Sequence, residues 1–334
     1  MTTHHSYPSS RLRRMRSSSF SRMLQQENQL RTTDLIYPIF VIENGTFDEE
    51  IVAMPGVQRK NLTQLLKTCE ECVQFNIPAV ALFPVIEASK KTTDAKEAYN
   101  KDGLIPTAIK EIKKHFPDLG IISDIALDPY TSHGQDGVID SDGYVLNDET
   151  LSILTRQSLC HAEAGVDIVA PSDMMDGRIG SIRQNLEEND FHNTKILSYA
   201  AKYASNFYGP FREAVGSKAT LGSSNKNTYQ MDPANSNEAL LEAKMDISEG
   251  ADMIMVKPGL PYLDIVRILK DTFKVPTFAY QVSGEYSMIK AASMNGWLAE
   301  KECVLESLLA FKRAGCDGVF SYYALDAAKW LQRL

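Results

Sequence analysis

Two lysines stand out as residues able to form carbon–nitrogen bonds. Lys257 follows the uncharged run MIMV, which places its ammonium at the edge of an apolar core. Desolvation disfavours the charged form of a lysine and exposes the neutral amine that attacks ketones. Lys202 lies in SYAAKYAS, close to the end of the preceding predicted strand. If both side chains enter one pocket, each cation disfavours the other, and at least one amine is neutral near pH 7. Imine chemistry on a carbonyl substrate is the reaction such a pair serves. Taken alone, Lys257 also fits a lysine that snorkels to solvent at a strand end.

Other polar groups recur at the ends of apolar runs. Ser123-Asp124 ends one run, and the segment from Asp128 to Asp136 follows it. Pro171 to Arg178 follows another, Ser283-Gly284 a third, and Tyr322 closes the last. The segment after Lys202 supplies Arg212 and Lys226, cations suited to a substrate carboxylate. Ser283 and Tyr322 offer hydroxyl donors for a second carboxylate. Singly, Arg212 reads equally as a surface ion pair and Tyr322 as a core tyrosine with a wet tip. Their common location is what favours a site.

The elements that must position these groups alternate from Leu35 onward. Predicted strands are Leu35–Val41, Ala79–Phe83, Gly120–Ile125, Val166–Ala170, Lys195–Tyr199, Asp252–Val256, Val275–Tyr280 and Asp317–Tyr322. Short runs rich in Ile, Val, Phe and Tyr suit strands buried on both faces. Pro38 predicts fraying or a bulge in the first. Helical patterns cover Leu62–Phe75, Leu104–His115, Thr150–Ala164, Glu238–Glu249, Pro261–Phe273 and Glu302–Ala314. Glycine stops stand at Gly165, Gly250 and Gly315. Eight strands alternating with helices predict an α/β fold, a (β/α)₈ TIM barrel, with a doubly wound open sheet as the alternative. Barrel active sites lie at the C-terminal strand ends, where the polar groups above fall. Two Gly/Ser/Asn/Asp-rich connections, Leu127–Asn147 and Ala204–Asn237, are long enough to be lids or binding surfaces. Residues 1–33 read as an N-terminal arm for subunit packing and residues 34–334 as the catalytic barrel.

Composition excludes several classes. The chain has 334 residues, 43% hydrophobic and 23% charged, with a net charge of −8. Its acidic body repels nucleic acid and anionic membrane surfaces. The cysteines, Cys69, Cys72, Cys160, Cys303 and Cys316, are odd in number and sit in apolar stretches. They argue against a disulfide framework and for a reducing, cytoplasmic setting. No apolar run is long enough to span a membrane. The stretch Arg11, Arg13, Arg14, Arg16 with Ser17 to Ser19 has transit-peptide composition, but an arm that packs on another subunit explains it better.

Six segments carry a family resemblance: SDIALDPYTSHGQDG, VAPSDMMDGRI, SYAAKYASNFYGPFREA, TYQMDPAN, GADMIMVKPGLPYLDIV and YQVSGEY. They resemble the porphobilinogen synthase family, also called 5-aminolevulinate dehydratase, and the likeness runs from the RLRR arm nearly to the C-terminus. The resemblance implies a lyase of porphyrin (heme, tetrapyrrole) biosynthesis. It condenses two 5-aminolevulinate molecules to porphobilinogen, with loss of two waters, through Schiff bases on Lys202 and Lys257. It implies that Lys257 holds the molecule that becomes the propionate side and Lys202 the acetate side. Arg212 and Lys226 would hold one substrate carboxylate, and Ser283 and Tyr322 the other. A homo-octamer of arm-hugging dimers is also implied.

The resemblance further implies a metal. Zinc-dependent members carry three cysteines where this chain has Ala126, Asp128 and Asp136. Thiolates suit zinc, whereas carboxylates suit hard cations. The chain therefore resembles the aspartate-type, magnesium-responsive branch, with Glu242 as the ligand of an allosteric magnesium, no zinc and no organic cofactor. Whether a cation also joins Asp124, Asp128 and Asp136 stays open. Cys69 and Cys72 have the spacing of half a zinc site, but no second pair follows and helix packing explains them. Two rival functions remain: an aldolase, for which one reactive lysine suffices, and a non-catalytic scaffold or RNA-binding protein using the basic arm.

Overall fold

The computed structural model describes residues 6–43, 49–215 and 225–332. Residues 1–5 of the expected arm, 216–224 of the second long connection and 333–334 of the barrel lie outside the described residues. The strands are β1 (Leu35–Ile42), β2 (Glu49–Glu50), β3 (Gln58–Lys60), β4 (Ala79–Val85), β5 (Gly120–Ile125), β6 (Ile168–Pro171), β7 (Lys195–Lys202), β8 (Met253–Lys257), β9 (Thr277–Gln281) and β10 (Gly318–Ser321). Eight of them, β1 and β4 to β10, pair in parallel in sequence order, and β10 returns to β1 to close the barrel. The short β2 and β3 hang beside β1. Closure removes both sheet edges and decides against the open sheet.

Burial on both faces explains the sequence of these strands. The side chains of Val80, Leu82, Ile121, Val169, Ile254 and Val319 are shut away from solvent. Pro38 does not fray β1, contrary to expectation: it is paired opposite Ala81 within an unbroken ladder from Ile36 to Ile42. The ladder to β10 ends at Ile36, so the missing N–H falls where one neighbour has already ended.

Helices cover the barrel. Asn61 starts the helix Leu62–Gln74: its side chain accepts from Gln64 N at 3.1 Å while the Gln64 side chain accepts from Asn61 N at 3.0 Å. Leu65, Cys69 and Cys72 form its inward face. The cysteine pair therefore packs, and burial pushes the Cys69 thiol up to about 12. Among the described residues, three helices of eight or more residues had no counterpart in the sequence reading, Arg178–Glu188, Ser283–Met294 and Ala324–Leu331, nor did the short Ser19–Leu24 and Gly209–Ala214. The first contains Gly180 and few apolar groups, but Ile179, Ile182 and Leu186 do fall on one buried face. Gly250 ends the helix Asn237–Glu249 at φ 108°, a left-handed conformation that costs glycine nothing. In the arm, Leu12, Phe20, Met23 and Leu24 are exposed. Among the described residues no helix is long and apolar enough to cross a membrane.

Candidate active site

Strand β7 runs three residues beyond its expected end, which makes Lys202 its last residue, and Lys257 is the last of β8. The two are register partners in the parallel ladder. Both are buried, each 6% exposed. Lys202 Nζ donates to the Ser172 carbonyl and stands 3.8 Å from Asp136 Oδ1. Among the described residues Lys257 Nζ has no such partner. It lies over four rings, 4.7 Å from Tyr280, 5.1 Å from Tyr199, 5.2 Å from Phe211 and 5.5 Å from Tyr208. Burial, and then the Lys202 charge, bring the Lys257 amine down to about 7, with Asp124, Asp128 and Asp136 opposing. A neutral amine is thus accessible at neutral pH.

Three carboxylates divide the proton inventory. Burial pushes Asp124 up to about 7 against the pull of Lys257 and Lys202. Asp136 is equally buried, yet Lys202 and Lys226 hold it down at about 2. Lys226 Nζ donates to Asp136 Oδ2 at 2.7 Å and to Asp128 Oδ2 at 3.1 Å. Asp136 also accepts from Tyr229 Oη at 2.9 Å. Asp128, the more distant partner, is pushed up by burial and by Asp136. The ammonium of Lys226 stands between the two carboxylates, where a cation shared by them would otherwise lie. Among the described residues no three His, Cys, Asp or Glu side chains converge as direct metal ligands.

Arg212 and Lys226 do come together. With Asp128, Lys202, Tyr208, Phe211, Gln230 and Lys257 they line a cavity of about 30 Å³, and both also line a polar cavity of about 210 Å³ beside it. Ser283 and Tyr322 line neither of these cavities and adjoin the smaller one through Phe211. Ser283 Oγ accepts from Phe211 N at 2.9 Å. A Cβ on Gly284 would lie 2.5 Å from the Phe207 carbonyl, so only glycine lets this helix start approach so closely. Tyr322 Oη is 3.0 Å from Tyr280 Oη, and its ring stacks on Phe40 at 5.7 Å. Phe211 links these residues to the cavity, because its ring is also 5.6 Å from Phe40.

Glu242 stands apart, in a third cavity of about 240 Å³ lined also by Asp176, Glu238, Asn147, Asn227 and Tyr229. Burial lifts its carboxyl to about 7, with Arg178 opposing. The chemistry of this lining suits a hydrated cation: three carboxylates and several amide and hydroxyl groups surround a space that holds roughly eight waters at about 30 Å³ each.

The sequence reading missed the aromatic cage of Tyr199, Tyr208, Phe211 and Tyr280, which comes from separate elements. The aromatic-rich stretch SYAAKYASNFYGPF around Lys202 was the available signal. It also left two buried groups without a role. Glu285 accepts from Gly259 N, Leu260 N and Val282 N at 3.2, 2.7 and 2.7 Å, tying the turn after Lys257 to the turn after β9. Arg178 had been placed on the rim, but it is buried at the start of its helix against Asp246.

A family model described as delta-aminolevulinic acid dehydratase matches residues 9–330. The chain is 54% identical over 322 residues to a delta-aminolevulinic acid dehydratase of Bradyrhizobium diazoefficiens, covering 96% of this chain and 91% of that protein. It is 50% identical over 323 residues to a chloroplastic one of Selaginella martensii, covering 96% and 77%. It is also similar to the crystal structure of delta-aminolevulinic acid dehydratase (porphobilinogen synthase) from Toxoplasma gondii in complex with the reaction product porphobilinogen. There the TM-score is 0.95 at 49% identity, over 97% of this chain and 92% of that one.

Proposed function

The chain belongs to the delta-aminolevulinic acid dehydratase family, and from that premise we propose how its residues divide the work. It is a lyase that condenses two 5-aminolevulinate molecules into porphobilinogen with release of two waters. The observation that carries the division is the side-by-side register of Lys202 and Lys257.

Lys257 attacks the ketone of one substrate as a neutral amine, and the carbinolamine loses water to give an imine. Asp124, which holds a proton near neutrality, donates it to the departing hydroxyl and takes one back later. Lys202 forms the second imine with the second substrate, releasing the second water. The carbon beside one imine loses a proton to give an enamine, which adds to the other imine carbon as that nitrogen gains a proton, and a carbon–carbon bond joins the two molecules. The amine of one substrate displaces one lysine from its imine carbon, and elimination releases the other. Arg212 and Lys226 orient one carboxylate, Ser283 and Tyr322 the other. Lys226 already neutralises Asp136, so an incoming carboxylate competes with Asp128 for its remaining donors. A cavity of about 30 Å³ is smaller than the substrate, so the side chains that line it give way on binding.

We assign an allosteric magnesium, held mainly through water, to Glu242 with Asp176 and Glu238 nearby, and no zinc. Bound there, magnesium supplies a bias among arrangements of the protein and does not touch the reacting atoms. We also assign the exposed arm to packing in a homo-octamer and the chain to the cytoplasm, in keeping with five free cysteines.

Reduction with borohydride in the presence of 5-aminolevulinate, followed by peptide mapping, tests the central assignment. Label is expected on Lys257 and Lys202. Lys257→Met should abolish turnover and keep the fold, and wild-type activity in that variant would refute the mechanism. Magnesium titration of the wild type and Glu242→Ala tests the cation: stimulation is expected to vanish in the variant while basal activity remains.

A further inference from the structure

Side chains alternate along a strand, so residues four apart face the same side. Ser198 and Lys202 break this rule. Ser198 Oγ donates outward to Asp246 on the helix Asn237–Glu249, whereas Lys202 Nζ points into the barrel mouth at Ser172 and Asp136. The register explains the reversal. Ser198 stands opposite Ile254 and Ala201 opposite Val256, so Tyr199 and Ala200 together face the single residue Met255. One extra residue in β7 makes a bulge. In a regular β7, Ala201 would be the partner of Lys257, and Lys202 would point toward the helices.

A buried ion pair grips this bulge. Arg178 Nη2 donates to Ser198 Oγ at 3.2 Å, to the Tyr199 carbonyl at 3.4 Å and to Asp246 Oδ2 at 3.2 Å. Arg178 Nη1 donates to Asp246 Oδ1 at 3.3 Å and to the Met175 carbonyl at 3.2 Å. Arg178 is 2% exposed and Asp246 3%. Such a pair is a poor source of stability, since apolar residues of similar volume often serve as well or better. Its location supplies the other use. Tyr199, whose carbonyl is held, presents its ring to Lys257, and three residues later Lys202 reaches the same pocket.

We propose that the Arg178–Asp246 pair is a positioning device that clamps the β7 bulge and thereby turns Lys202 toward Lys257. This rests on the reading of Lys202 as the second imine-forming lysine. Neither clamp residue meets substrate, and both act through the strand.

Three proteins test it: the apolar double variant Arg178→Met/Asp246→Leu, the single variant Ser198→Ala, which removes only a hydroxyl at the bulge, and the wild type. Each is reduced with borohydride in the presence of 5-aminolevulinate, and label is compared at Lys202 and Lys257. The pH dependence of trapping at Lys257 is measured separately with levulinic acid, a keto acid without the amine. Circular dichroism follows the fold. In the folded double variant, labelling of Lys202 should fall on the order of a hundredfold, as for a misplaced reacting group, while label on Lys257 persists. The acid limb of Lys257 trapping should move to higher pH, because the neighbouring Lys202 charge is gone while Asp124, Asp128, Asp136, Tyr199, Tyr208 and Tyr280 still face it. Ser198→Ala should shift both readouts in the same direction by less, and it decides the matter if the double variant does not fold. Folded variants with the wild-type label ratio and the wild-type acid limb would overturn the clamp. Wild-type protein that never labels at Lys202 would instead refute the reading of that lysine, and the acid limb would then judge the clamp alone.

Discussion

At the scale of single residues the chemistry turns on where protons reside. Lys257 and Asp124 both titrate near 7, Lys257 downward from its ordinary value and Asp124 upward. Each charge favours the other across the pocket. Imine formation needs the neutral amine, so trapping of substrate on Lys257 is expected to fall as pH drops below about 7. Asp124 favours the charged lysine. Asp124→Asn should therefore move this acid limb to lower pH while lowering kcat by about a hundredfold or more, as for loss of a general acid–base group. Stopped trapping and steady-state rates across pH separate the two effects, and an unmoved acid limb would break the link. Carboxylate anchoring is a second residue-scale matter. Arg212→Ala removes a charge-assisted hydrogen bond of about 1.5–3 kcal/mol, so kcat/KM should drop tenfold to hundredfold. Unchanged kinetics would remove Arg212 from substrate binding.

Whole elements impose a different pH sensitivity. The helix Asn147–Glu163 packs on β5 through His161, which is fully buried and within 2.9 Å of Ser123 Oγ. Burial depresses the imidazole to about 3 from its ordinary 6.5. Its folded value lies below its unfolded one, so between those limits the unfolded chain binds the proton first. The contribution is whole above about 6.5 and is lost as pH falls toward 3. At about pH 5 the loss is on the order of 2 kcal/mol. Urea midpoints should decline from pH 7 to about pH 5 in the wild type and decline less in His161→Gln. Parallel slopes would show that His161 charges as freely in the folded chain as in the unfolded one. Helix ends are set by elementary sterics. Gly250→Ala would force a side chain into a left-handed conformation 2.9 Å from Arg183 Cγ, at a cost of about 1 kcal/mol or more.

On the scale of the molecule, an acidic barrel carries a basic arm. Arg11, Arg13, Arg14 and Arg16 precede the exposed Phe20, Met23 and Leu24, and an apolar stripe of this kind is costly in water unless a partner covers it. Removing residues 1–33 should lower the oligomer size measured by sedimentation and leave the barrel folded by circular dichroism. An unchanged sedimentation coefficient per subunit count would take the arm out of assembly. If magnesium acts through assembly, the truncated protein should also lose stimulation, because an effector shifts an equilibrium only by its preference between states.

Local pattern alone determined a good deal of this protein. Runs such as MIMV and VALF are apolar on both faces of a strand, so eight buried parallel strands were readable from period and length, while their closure rests on the pairing of β10 with β1. Gly165, Gly250 and Gly315 marked helix ends because the left-handed conformation they adopt belongs to glycine. Lys257 was readable because a charge directly after an apolar run sits at the core's edge. Pairing across elements was not readable. Tyr199, Tyr208 and Phe211 lie in one stretch, but they meet Tyr280 over Lys257 only when β7, β8 and β9 pair side by side. The run of β7 out to Lys202 lies beyond the periodicity, because a bulge breaks the alternation on which a strand is recognised. Arg178 and Asp246 are 68 residues apart, and each reads as a surface charge by itself. Only the folded chain decides that they are buried together behind a lysine, because burial is a property of what packs around a residue and not of the residue.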